Sequence, residues 1–261
     1  MKALPFFLAA LFACPAAWAQ APWQEIKSDH FIVYSATGER TFMDQVAAKS
    51  ELYYDAIANW LGYARRDGFW TWDGRCKIYV YGSREHYLGE TGQAAWSNGA
   101  AVLERRMILS FQEAPGFLDS VLPHELAHLI FRDFVGGKGR IPLWLDEGVA
   151  MAQEKDKRKE FDVWIAKMIA EKKWIPMETF MKVGNLQETP GDEAVMFYAQ
   201  AQSVVRFLLE GYGSERFAGF CRSLRDGDTP QDALAKNYPQ DFPTLQAFEG
   251  KWAASAVPAA A

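Results

Sequence analysis

Apolar and polar positions follow two rhythms along this chain, a short-period one in the first third and a helical one afterwards. Phe31-Ile32-Val33-Tyr34-Ser35 is β-branched and aromatic and predicts a strand, broken at Gly38. From Glu39 to Leu61 the apolar residues Phe42, Val46, Tyr53, Ile57, Trp60 and Leu61 recur at helical spacing, predicting an amphipathic helix that stops at Gly62. Residues 65–74, with Trp70 and Trp72, read as a loop or hairpin. Cys76 to Tyr81 predicts a second strand with Ile78 and Val80 on one face, and Ser83 opens a short helix carrying His86. Gly89, Gly92 and Ser97-Asn98-Gly99 mark loop. Ala101 to Phe111 predicts a third strand, with Arg105 and Arg106 mid-strand on a solvated edge.

After residue 119 the pattern is helical throughout. Val121, Leu122, Leu126, Leu129 and Ile130 predict a buried helix, capped by Asp119 or Ser120, with Pro123 in the first turn. Gly136-Gly137-Lys138-Gly139-Arg140 is a connector, and Pro142 opens a return helix in which Gly148 leaves room for close helix approach. Lys155 to Glu160 is a charge run at a solvated helix end, and Phe161 to Lys173 continues the helix as far as Trp174-Ile175-Pro176. Met177 to Val183 is a short helix and Pro190 to Glu193 a loop. Phe197 begins a long amphipathic helix closed by Gly211-Tyr212-Gly213. Shorter helices follow at Asp232 to Lys236 and Thr244 to Ala253, and Ala254 to Ala261 reads as a frayed tail. With no repeat and no long linker, the expectation is an α+β domain over residues 20–253, with a small N-terminal sheet lobe carrying helices and an all-helical C-terminal lobe.

The first residues read as a targeting segment rather than fold. Met1-Lys2 gives a positive start, Ala3 to Ala13 an apolar stretch, and Ala17-Trp18-Ala19 an A-x-A cleavage signal, so residues 1–19 are expected to be a signal peptide and the protein to be exported, periplasmic or secreted, from Gln20. Leu11-Phe12-Ala13-Cys14 offers a weaker alternative, lipid attachment at Cys14. Elsewhere no apolar run is long enough to span a membrane. Loss of the leader takes one lysine and no acid, moving the net charge from −5 to −6. An acidic chain of this kind is a poor partner for nucleic acid. The export reading leaves Cys76 and Cys221, either one disulfide or two buried thiols.

Chemistry concentrates at His124-Glu125-Leu126-Ala127-His128, an HExxH motif that uses two of the chain's four histidines. Histidines four apart project from one helical face a turn apart, so two neutral imidazoles can hold one metal ion. Glu125 sits where it could take a proton from a metal-bound water. A catalytic zinc site takes three protein groups and leaves a position for water. Glu147, separated from His128 by 18 residues, is the expected third ligand, since that gap fits a helix end, a turn and a return helix.

The spacing HExxH-x18-E and the sequence Trp144-Leu145-Asp146-Glu147-Gly148-Val149-Ala150 resemble the gluzincin metallopeptidases, in particular the aminopeptidase branch and its peptidase-MA-like relatives. The resemblance implies a thermolysin-like catalytic fold. It also implies zinc (Zn2+) held by His124, His128 and Glu147, Glu125 as general base, and a peptide or protein substrate. Phe197-Tyr198-Ala199-Gln200 is similar to the segment where such aminopeptidases place a tyrosine beside the oxyanion, which implies a catalytic Tyr198. Two positions depart from the pattern. The aminopeptidases carry a Gly-x-Met-Glu-Asn segment whose acids hold the substrate amine, whereas here Ser97-Asn98-Gly99-Ala100-Ala101-Val102 has no acid until Glu104. Asp146 stands where that branch has asparagine. The expected activity is hydrolysis of peptide bonds through a zinc-bound water. The alternative is a scaffold that keeps fold and zinc but cleaves nothing.

Overall fold

The computed structural model describes residues 23–63, 70–136, 141–186 and 189–256. The expected leader, positions 137–140 of the connector and the last five residues of the tail lie outside the described residues. In chain order the elements are β1 (Gln24–Lys27), β2 (Phe31–Ser35), α1 (Arg40–Trp60), β3 (Cys76–Tyr81), α2 (Arg84–Thr91), β4 (Gly99–Val102), β5 (Met107–Phe111), α3 (Leu122–Val135), α4 (Leu143–Met151), α5 (Lys155–Ala170), α6 (Met177–Phe180), α7 (Gly191–Tyr212), α8 (Ser214–Arg225), α9 (Pro230–Asn237) and α10 (Leu245–Ala256). A mixed five-stranded sheet in the order β1-β2-β3-β5-β4 forms one lobe and helices form the other. β2, β3 and β5 run parallel, and β1 and β4 join the two edges antiparallel.

Alternation along β2 and β3 drives their inward residues to one face. Val33, Ile78 and Ile108 are register neighbours across three strands, and all three are fully buried in one core with Val46 and Ile57 of α1 and Leu126 and Ile130 of α3. The helix bearing the HExxH motif is therefore laid on the sheet by its own apolar stripe.

Several elements differ from the sequence expectation. The stretch Ala101 to Phe111 is not one strand: Leu103–Arg105 forms a turn of 3₁₀ helix and β4 folds back against β5. The reversal rests on Arg106 at φ 49°, a conformation usually signalled by glycine, so the sequence gives no warning of it. Arg105 is exposed as expected, whereas Arg106 is only one-third exposed. Its Nη1 donates to Gly74 O at 2.8 Å, its guanidinium lies 5.4 Å from the Trp70 ring, and Asp133 is 3.5 Å away.

α3 carries no side-chain cap. It grows out of a π turn over Phe117–Val121, Asp119 pairs instead with Lys49 and Tyr53, and Pro123 does fall in the first turn. α7 starts at Gly191, six residues before the expected Phe197, with Pro190 before it and Asp192 and Glu193 in its first turn, where acids favour a helix N-terminus. β1 was not expected, because only Ile26 of its four residues is buried. α10 runs to Ala256. Cys76 and Cys221 are separately buried and free. Among the described residues no helix is long and apolar enough to cross a membrane.

The helical lobe is organised around α7. Gln200 clamps the Ile175 backbone from both sides, accepting from its N–H at 2.9 Å and donating to its C=O at 2.7 Å, and Gln202 donates to Met151 O at the end of α4. At Gly148 α4 presses directly on α7: a Cβ there would lie 2.5 Å from Ala201 O and 2.6 Å from Val205 Cγ2. Neither the backbone carbonyl nor the buried valine has room to move. Gly148→Val is therefore expected to destabilise the protein by about 2–3 kcal/mol, lowering the melting temperature by roughly 5–10 °C. Denaturant titration and calorimetry check this, and an unchanged midpoint would refute the contact.

Candidate metal centre

α3 presents His124 and His128 on one face, and α4 brings Glu147 back to them. One ligand atom from each of the three residues can be chosen so that all lie within 4.8 Å of one another. The two Nε2 atoms are 3.2 Å apart, and Glu147 Oε2 is 3.8 Å from His124 Nε2 and 4.0 Å from His128 Nε2. Groups about 2.0–2.1 Å from a tetrahedral centre are themselves roughly 3.3 Å apart, so the three atoms need only small shifts to share one ion.

Each imidazole is held from behind by a carboxylate. His124 Nδ1 donates to Glu154 Oε1 at 2.9 Å, and Glu154, 4% exposed, also takes the Ser120 hydroxyl and the Lys157 ammonium. His128 Nδ1 lies 3.3 Å from Asp146 Oδ1, off the line of a straight hydrogen bond, while Asp146 Oδ2 accepts from Arg132 at 3.2 Å. Carboxylates only accept, so a carboxylate at each Nδ1 favours the hydrogen there and turns both Nε2 atoms to the shared point. Two ring nitrogens 3.2 Å apart need a proton or a metal ion between them. The surrounding field supports this. Burial alone would lower the His128 pKa, but Asp146, Glu147 and Glu125 outweigh it and hold it up to about 9. Burial also pushes Glu154 upward, yet its bonds to His124, Ser120 and Lys157 prevail and draw it down to about 2. The donor set, the tautomers and the sign of the field all fit a divalent metal.

Glu125 lies beside the pair, 9% exposed, with its pKa raised by desolvation against the opposing pull of the two imidazoles. Strand β4 can lie against it because residue 99 is glycine: a Cβ there would meet Val121 Cγ1 at 2.5 Å and Glu125 Oε1 at 3.2 Å. Tyr198, on α7, lines the same cavity as His124, Glu125, His128 and Glu147, a space of about 760 Å³. Burial and the Glu147 charge push its phenol up to about 12, so it stays protonated at neutral pH.

All five residues singled out in the sequence thus line one cavity. Glu154 and Ser120 were not anticipated: Glu154 reaches His124 from 30 residues away, across a helix boundary, and no local pattern marks it. Asp146, unexplained in the sequence, proves to face His128 and Arg132. Trp96, Asn98 and Val195 also line the cavity, whereas the exposed Glu104 does not.

The comparison with family profiles agrees with this picture at the level of family. No curated protein sequence matches the chain. Among solved structures, native yeast LTA4 hydrolase aligns with 92% of the chain at 15% identity and a TM-score of 0.47, and the chain spans 39% of that protein's length. The profile of the Peptidase MA superfamily matches residues 73–257, more than two thirds of the chain and the whole of the metal-binding constellation. The chain belongs to the Peptidase MA superfamily.

Proposed function

We propose that this protein is an exported zinc metallopeptidase that hydrolyses peptide bonds. The observation that carries the reading is the meeting, in one cavity, of two carboxylate-backed imidazoles, the Glu147 carboxylate and a buried Glu125. Zinc held by His124, His128 and Glu147 would supply Lewis acidity toward a water and toward the scissile carbonyl. Glu125, made more basic by burial, takes the proton of the attacking water and passes it to the departing amine. Tyr198 donates its phenolic hydrogen to the carbonyl oxygen as negative charge builds there. Glu154 and Asp146 fix the two rings and keep their Nε2 atoms turned inward. The Ser97–Gly99 wall of the cavity has no acid to anchor a free amine, which supports cleavage of internal bonds over removal of a terminal residue. Export is supported by the leader pattern of residues 1–19.

The purified protein is expected to carry about one zinc per chain and to cleave N-acetylated peptides until treated with a chelator. Glu125→Gln should lower kcat by at least about 10²-fold with zinc content unchanged, and Tyr198→Phe should lower kcat by about 10²-fold with little change in KM. Full activity of the Glu125 variant would refute its role. Glu154→Ala removes the acceptor behind His124 and should weaken zinc binding about 10- to 100-fold, read by competition with a fluorescent chelator. Equal affinity would mean that Glu154 does not position the ring. The protein recovered from its natural host should begin at Gln20. Recovery with the leader intact would overturn export, and a start at a lipid-modified Cys14 would replace a freely released product with an anchored one.

A further inference from the structure

The loop that enters β4 carries an indole at the rim of the cavity. Trp96 is 80% exposed, yet the chain on both sides of it is tied down. Arg84 donates to Ala95 O just before it and to Asn98 Oδ1 at 3.1 Å just after it. The Ser97 hydroxyl is hydrogen-bonded to the buried Tyr87 hydroxyl at 2.8 Å and donates to Gly99 O at 2.8 Å. Ser97 N donates to Ala94 O, and Ser110 donates to Asn98 O at 2.6 Å. A rim anchored at so many points has little freedom to fold its largest side chain away from water. From the helical lobe, Val195 at the start of α7 lines the same cavity and is 40% exposed, and Phe161 and Met151 line it too. The cavity that holds the imidazoles and carboxylates thus also carries apolar side chains from both lobes, of which Trp96 and Val195 are the exposed ones.

We infer that Trp96 and Val195 form a clamp for one bulky apolar side chain beside the scissile bond, so that the substrates are peptides with an aromatic or branched aliphatic residue at that position. The inference rests on the peptidase reading for the nature of the substrate, but the clamp is a binding feature and can be tested without turnover. Burying such a side chain against a preformed apolar surface, compared with a small one, discriminates by about 10- to 200-fold. The indole adds contact area at little entropic cost, because the backbone that carries it is already fixed.

The test uses zinc-loaded Glu125→Gln protein and two N-acetylated peptides that differ only in one residue, phenylalanine or alanine, titrated by calorimetry. Expected is a preference for the phenylalanine peptide of about tenfold or more, cut about tenfold by Trp96→Ala, largely kept by Trp96→Phe, and reduced by Val195→Ser. The exposure of both side chains keeps these variants foldable, and circular dichroism verifies this. In parallel, a peptide library is digested with the unsubstituted protein. Cleavage with no apolar preference, or a preference that Trp96→Ala and Val195→Ser leave unchanged, would overturn the clamp and leave the peptidase reading standing. Selective binding with no cleavage of any library member would support the clamp and overturn the peptidase reading.

Discussion

Charge balance around two imidazoles governs the centre of this molecule. Glu125, Asp146, Glu147 and Glu154 surround His124 and His128, with Arg132 and Lys157 as the cationic partners of Asp146 and Glu154. Four carboxylates against these two cationic side chains leave an excess of acid in a largely buried region, where uncompensated charge is costly. A divalent ion would offset this negative charge. The same acids that would be a liability in an ordinary core suit a metal here and orient the rings that could hold it.

The two lobes contribute differently to this arrangement. The sheet lobe supplies a platform: α3 packs against β4, β5 and α1, which fixes where the imidazoles emerge. The helical lobe supplies the remaining groups. Glu147 arrives on α4, Tyr198 on α7, and Glu154 just before α5, so the groups that join the motif come from three different helical segments.

How much of this was legible in the sequence depended on whether the cause was local. His124, Glu125 and His128 are a helical-face pattern, and Glu147 follows from the length of chain needed for a return helix. Gly148 was readable as a close-approach residue because nothing else explains a glycine inside an apolar helix. The β4–β5 hairpin was hidden because arginine, not glycine, takes the left-handed turn position and is held there by Gly74, Trp70 and Asp133. The start of α3 was misread because a π turn replaced the expected cap, which freed Ser120 to bond Glu154. Glu154 itself depends on tertiary contact across 30 residues, which no periodicity encodes.

The contact at Gly148 also bears on how the cavity can respond to a ligand. Because α4 meets α7 backbone to backbone, the separation of Glu147 from Tyr198 is set by the main chains of two helices rather than by adjustable side chains. That wall is the stiff jaw. On the other wall the Ser97–Gly99 segment comes from the sheet lobe, so the distance across the cavity depends on how the sheet and α3 hold their place against this helix pair.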